Sequence, residues 1–261
     1  MKRFLCPQLP EPHQPVLLPK PEAKHATHVL RLENGDQVEA MDGKGRAVIA
    51  RLRIGDGPIR LEYVERLEVG HLASQEVSPI RLEMAVLKGE AMEWVVEKSV
   101  ELGVRTFVPV LTAHTVVQVK HKGPEAFQAR WQKIADQALK QCGRLERMEV
   151  HLPTPLEQLL SEVPSVVEKP RLWCDEGERE SAPRLGKWLS SLSIPLEELR
   201  LLIGPEGGFS RLERELLEAS HVQKMSLGPV VLRAETAALY VVAVARALAL
   251  DNLAPAKARS L

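Results

Sequence analysis

A change of hydrophobic period near residue 80 constrains this chain more than any other feature. Across residues 38–64 apolar side chains recur at every second position. Val48, Ala50, Leu52 and Ile54 share one strand face, and Ile59, Leu61 and Tyr63 alternate with Arg60 and Glu62. Asn34-Gly35, Asp42-Gly43 with Gly45, and Gly55-Asp56-Gly57-Pro58 punctuate the runs as turns. This predicts a small antiparallel sheet or barrel that ends in the polar stretch 70–79.

Beyond that stretch, strands and helices alternate. A strand over 81–87 leads to a helix in which Met92, Val95, Val96, Ser99 and Leu102 lie on one face and Gly103 ends it. A strand over 106–111, a helix over 124–142 and short strands near Val150 and Leu172 follow. Then come a helix near 183–192, a strand over 199–203, a helix over 210–219, a short strand near Met225 and a last helix over 234–250. Such alternation builds an α/β domain with a mostly parallel sheet covered on both faces.

Charge balance narrows the partners. The 35 Lys and Arg offset 35 Asp and Glu, so any nucleic-acid contact must come from local patches. The strongest patch runs over 120–147, where Lys120, Lys122, Arg130, Lys133, Lys140, Arg144 and Arg147 outnumber Glu125, Asp136 and Glu146. A solvated helix face and an RNA contact both produce that pattern. Cys6, Cys142 and Cys174 are too far apart for a disulfide framework or a local zinc site, so a reducing compartment is expected. Pro7, Pro10, Pro12 and Pro15 interrupt any signal-peptide core, and the apolar run over 237–245 is too short to cross a bilayer. The reading is a cytoplasmic protein without a membrane partner.

The sharpest local signal is Leu201-Leu202-Ile203-Gly204-Pro205-Glu206-Gly207-Gly208-Phe209-Ser210, with Glu213 three residues on. An apolar strand runs into a glycine turn, and Ser210 with Glu213 predicts a capping box on the next helix. Ligands of open α/β sheets bind at such carboxyl ends, and Gly207 and Gly208 permit positive φ and close approach. A plain strand-to-helix turn leaves the same trace. The loop lacks the lysine of a phosphate-binding loop and the spacing of a dinucleotide fingerprint, which argues against triphosphates and dinucleotides.

A second signal is Leu227-Gly228-Pro229-Val230-Val231-Leu232-Arg233-Ala234-Glu235. Glu235 suits the first turn of a helix, whereas Arg233 just before it offers a planar fork of donors to an anionic or carbonyl-rich ligand. His25 and His28 have no carboxylate or cysteine at metal spacing, and no metal is expected.

Five blocks together carry a family resemblance: HATHVLRLENGDQVEAMDGKGR, LKGEAMEWVVEKSVELGV, RWQKIADQALKQCGR, LLIGPEGGFSRLERE and LGPVVLRAETA. In this order they resemble the bacterial 16S ribosomal RNA uridine N3-methyltransferases, the RsmE family of the SPOUT superfamily. The resemblance implies a PUA-like RNA-binding barrel over 1–74 and a SPOUT methyltransferase domain with a trefoil knot over 75–261. It implies S-adenosylmethionine as methyl donor, held by Leu172, Ile203, Gly204, Pro205, Glu206, Gly207, Gly208, Leu227, Gly228, Val231 and Leu232. Arg233, Glu235 and Arg3 would serve the chemistry, and His25, His28, Arg31, Arg130, Lys133, Lys140 and Arg144 would grip RNA.

The implied partners are 16S ribosomal RNA, in the assembled small subunit, and a second copy of the chain in a homodimer. The final helix and the region 90–102 are the candidate dimer interface. Two positions depart from the family pattern. Thr112-Ala113-His114 stands where many members carry Arg, and Met148 replaces a usual proline. A noncatalytic ribosome-assembly factor and a ribose 2′-O-methyltransferase are the rival readings; intact GPEGG and LRAETA blocks favour an enzyme over the former.

Overall fold

A computed structural model of the chain describes residues 1–67, 80–117, 123–161, 169–174, 182–191 and 197–253, with side chains to 248. The chain folds into two compact units. One comprises residues 1–77 with 136–147, and the other 78–135 with 148–261.

The first unit is built on a five-stranded sheet ordered β1(Arg3–Leu5), β3(Gln37–Met41), β4(Ala47–Arg53), β5(Arg60–Arg66), β2(Val16–Leu17). β1 runs parallel to β3, and the remaining pairs are antiparallel. The period-two residues do what their spacing predicts: Val48, Ala50, Leu52 and Leu61 join Phe4, Cys6 and Val38 in one buried core. A bulge between Ile49 and Ala50 shifts the register, and Ile49 is buried as well. The sequence reading missed β1, β2 and the turn of helix α1(Lys20–Lys24), which runs into a π-helical turn His25–Val29. Short strands paired far along the chain leave no local period to read.

The second unit holds a parallel sheet ordered β12(Gln223–Met225), β10(Arg171–Cys174), β11(Leu199–Ile203), β6(Ile80–Ala85), β7(Thr106–Leu111), β8(Glu149–Val150), with β9(Thr154–Pro155) also on β7. Helices cover both faces, as alternation predicts. α2(Gly89–Glu101), α5(Leu185–Ser190) and α7(Ala234–Leu253) pack on one side, with α7 against α2, α5, β6 and β11. On the other face α4(Leu156–Ser161) and α6(Arg211–Ala219) pack over Val108, Trp173, Leu202 and Phe209. The helix α3(Pro124–Cys142) matches its expected span, but its last residues, 136–142, belong to the first unit. There the Arg3 guanidinium donates to the carbonyls of Lys140 and Gln141 at 3.2 and 3.1 Å, satisfying groups that a helix end leaves bare.

Charge is buried within the same sheet. Arg81, Arg171 and Arg200 stand side by side on three neighbouring strands, and Glu83 lies two residues beyond Arg81. Glu83 is 0% exposed and meets the guanidiniums of Arg171 at 2.8 Å and Arg81 at 3.0 Å. Burial pushes its carboxyl up, while Arg171, Arg81 and Arg200 pull against it. The 70–79 connection, Lys120, His121, Lys122 and the connection 175–181 that bears on the expected knot lie outside the described residues.

Candidate active site

At the carboxyl end of β11 the chain turns through Gly204-Pro205-Glu206-Gly207-Gly208 before α6 begins. The Gly208 N–H donates to the Pro205 carbonyl at 2.9 Å, with Gly208 at φ 67°. Of the two glycines expected to supply positive φ, Gly208 does and Gly207 does not. Gly207 leaves room instead, because a Cβ there would stand in tight contact, 3.3 Å from the Cβ of His114. Gly204 is tighter still, 2.9 Å from the Phe209 ring.

The expected capping box is present. Ser210 Oγ accepts the Glu213 N–H at 3.3 Å, and Glu213 Oε2 accepts the Ser210 N–H at 2.7 Å. The other carboxylate oxygen accepts the Ala113 N–H at 2.7 Å, tying the loop after β7 to the start of α6. Capping accounts for only half of what this buried carboxylate does.

The segment after β12, ending at the start of α7, supplies the opposite wall. Together the two stretches enclose a cleft of about 540 Å³, within the usual range for small-molecule sites. Of the expected donor residues, Ile203, Gly204, Pro205, Glu206, Gly208, Leu227, Gly228, Val231 and Leu232 line it, as do Arg233 and Glu235. Leu172 does not line it. Leu172 sits two positions before the carboxyl end of β10 and is buried in the core at 0% exposure, whereas Cys174, the last residue of the strand, borders the cleft. Burial pushes the Cys174 thiol up to about 12, so it lines the wall as an apolar group. Gly207 is also outside the lining, behind Gly208.

Arg214 lines the cleft as well, and the sequence reading missed it. Its Nε donates to the Phe209 carbonyl at 3.1 Å, four residues after the Ser210 cap, so the side chain reaches back over the helix start. A basic residue one turn into a helix that follows a glycine turn is the signal that could have found it. Among the described residues no group of three or more His, Cys, Asp or Glu could hold a metal ion.

Similarity to known proteins converges on the same region. Residues 74–246 match the model of an RNA methyltransferase domain, and residues 18–62 that of an RNA methyltransferase PUA domain. Ribosomal RNA small subunit methyltransferase E of Bacillus subtilis is 30% identical over 84% of this chain and 84% of its own length. The chain belongs to the ribosomal RNA small subunit methyltransferase E family. A member from Neisseria gonorrhoeae, solved bound to S-adenosyl methionine, superposes with a TM-score of 0.82 at 29% identity, covering 95% of this chain and 98% of that one. A Legionella pneumophila methyltransferase solved with bound SAM gives 0.81 at 31% identity, over 94% and 96%.

The methyltransferase-domain match encloses every residue of the cleft, and the remaining candidates do not line it. Arg3 sits in the first unit, where its Nε pairs with Glu39 at 2.7 Å while one terminal nitrogen caps α3. Its described contacts are structural. His25 is half-buried with its ring edge-on to Phe4, and His28 and Arg31 are exposed, Arg31 at φ 53°. On α3, Arg130 pairs with Glu93, Lys133 is exposed, and Lys140 pairs with Glu22 at 2.7 Å in a half-enclosed contact. Arg144 is half-buried and bonded within the fold. Lys140 thus anchors the end of α3 in the first unit, a role that a count of basic residues does not reveal.

Proposed function

We propose that this family member transfers the methyl group of S-adenosylmethionine to N3 of a uridine in 16S ribosomal RNA, with the cleft as donor and reaction site. The observation that carries the reading is the convergence of the Gly204–Phe209 turn and the 227–235 segment on one cleft at the end of β11. The lining fits the donor. Ile203, Leu227, Val231 and Leu232 offer apolar walls to a flat base, and Gly204 and Gly208 let backbone groups approach. When bound, the donor supplies an electrophilic methyl on a sulfonium leaving group.

Uracil N3 is protonated and lies on the pairing edge, so the target base must be unpaired and must lose that proton. Negative charge then develops on the uracil oxygens. Arg233, at the cleft wall beside the first turn of α7, presents a fork of donors to them, and Glu235 either orients that fork or accepts the proton. RNA contact is assigned to His25, His28, Arg31 and Lys133, in the assembled small subunit in the cytoplasm.

A homodimer belongs to this reading. Trp94 and Tyr240 are exposed by 44% and 46%, each one helical turn from a cleft-lining alanine, Ala91 or Ala237. The test is methylation of small-subunit RNA with labelled donor and analysis of the product nucleosides. N3-methyluridine is expected; 2′-O-methylated product would install the rival enzyme class, and binding without transfer the assembly factor.

A further inference from the structure

His114 does not line the cleft, yet it touches the glycine turn that does. Its Nδ1 lies 2.8 Å from the Gly208 carbonyl and 3.1 Å from the Gly207 carbonyl. Both partners are acceptors, so Nδ1 carries the proton and donates, shared between the two oxygens. The ring occupies the space beside Gly207 where a side chain would otherwise project. The loop that bears it is itself fixed. The Ala113 N–H donates to Glu213, and the Thr112 N–H donates to Thr115 Oγ1 at 2.9 Å.

We infer that His114 is a positioning residue for the donor, holding the Gly207-Gly208 turn from outside the cleft in the orientation that donor binding requires. The physical link is the planarity of the peptide unit. In a trans peptide the C=O and the following N–H point in opposite directions, so a Gly208 carbonyl held toward His114 turns the Phe209 N–H away from it. Gly208 and Phe209 both line the cleft, so the direction of this peptide plane sets which backbone group meets a ligand there. Gly208, at positive φ and without a Cβ, otherwise has wide freedom to rotate the plane. One shared hydrogen bond removes that freedom before the ligand arrives, and preorganisation of this kind raises affinity by reducing the ordering cost of binding.

The inference rests on the cleft being the donor site, so the experiment starts with calorimetry of S-adenosylmethionine binding to the unaltered protein. Absence of binding there would defeat the site assignment itself. Given binding, His114→Ala should weaken donor affinity roughly three- to tenfold, the scale of one net hydrogen bond. RNA affinity and melting temperature should hardly move. His114→Asn is the rescue, because its amide nitrogen is attached to Cγ as Nδ1 is and can donate to the same carbonyls. His114→Gln places its donor one bond farther out and should behave like Ala. Donor affinity unchanged in His114→Ala overturns the inference. Should the Ala protein melt early, the Asn and Gln variants decide: equal donor affinities in those two overturn it, and a selective return with Asn upholds it.

Discussion

The Phe209 ring folds back over Gly204, so close that a Cβ on Gly204 would stand 2.9 Å from Cε2. Phe209 cannot yield easily, because its other edge meets the buried Trp173 ring at 5.9 Å between centroids and 88° between planes. Gly204→Ala should therefore displace the turn rather than the core and lower donor affinity at least tenfold. Gly55→Ala, at a glycine with no neighbour within 4 Å, is the control. Calorimetry that finds both variants binding like the parent would remove the turn from the donor site.

The buried ion cluster bears on stability alone. Removing Glu83 leaves Arg81, Arg171 and Arg200 without the carboxylate on which two of them converge. Glu83→Gln should cost about 3–5 kcal/mol, the usual effect of breaking one side of a buried charge network. Denaturant unfolding measures it, and a loss below about 1 kcal/mol would mean that the arginines find other acceptors.

Asp42 gives the first unit an acid-sensitive joint. Burial alone would raise its carboxyl, but the N–H of Lys44 and the guanidinium and N–H of Arg46 outweigh that and hold it below its ordinary 3.8. A depressed folded value contributes stability above the unfolded one, and that contribution is lost as pH falls through the folded value. Asp42→Asn should thus melt below the parent at pH 7, and the gap should narrow as pH falls below about 4. A constant gap over that range would mean that shape, not charge, explains the loss.

How far the sequence revealed this site depended on the range of each cause. The capping box and the glycine turn are local, and spacing reads both. Glu213 to Ala113, His114 to Gly208, and Arg3 to the end of α3 join residues 100, 94 and 138 positions apart. No periodicity encodes such pairs, so Arg3 and Lys140 read as functional cations although each is held by a carboxylate of its own unit. Leu172 shows a different limit: it shares a strand face with Cys174, two residues on, and only Cys174, at the carboxyl end of β10, reaches the cleft.

Lys133 and Lys140 should behave differently toward RNA despite lying on one helix. Lys133 is exposed, so Lys133→Glu should weaken binding and flatten its salt dependence through one lost phosphate contact. Lys140→Glu would put two carboxylates where Lys140 and Glu22 now pair at 2.7 Å, so its first effect should be on melting. Filter binding across a salt series, with thermal melts alongside, separates the two. Equal RNA loss without a change in melting would restore Lys140 to the RNA surface.

Arg233→Lys tests the chemistry. Lysine keeps the charge but loses the planar fork, and turnover should fall on the order of a hundredfold with donor affinity nearly unchanged. A structural account predicts otherwise. Arg233 supplies the carbonyl that accepts the Ala237 N–H at 2.8 Å in the first turn of α7, but that contact is backbone and survives the substitution. Melting temperature should therefore hold while single-turnover methyl transfer drops. Normal transfer by the Lys protein, or a fall matched by its unfolding, would take Arg233 out of the reaction and leave Glu206, Arg214 and Glu235 as the charged groups of the cleft to be tested next.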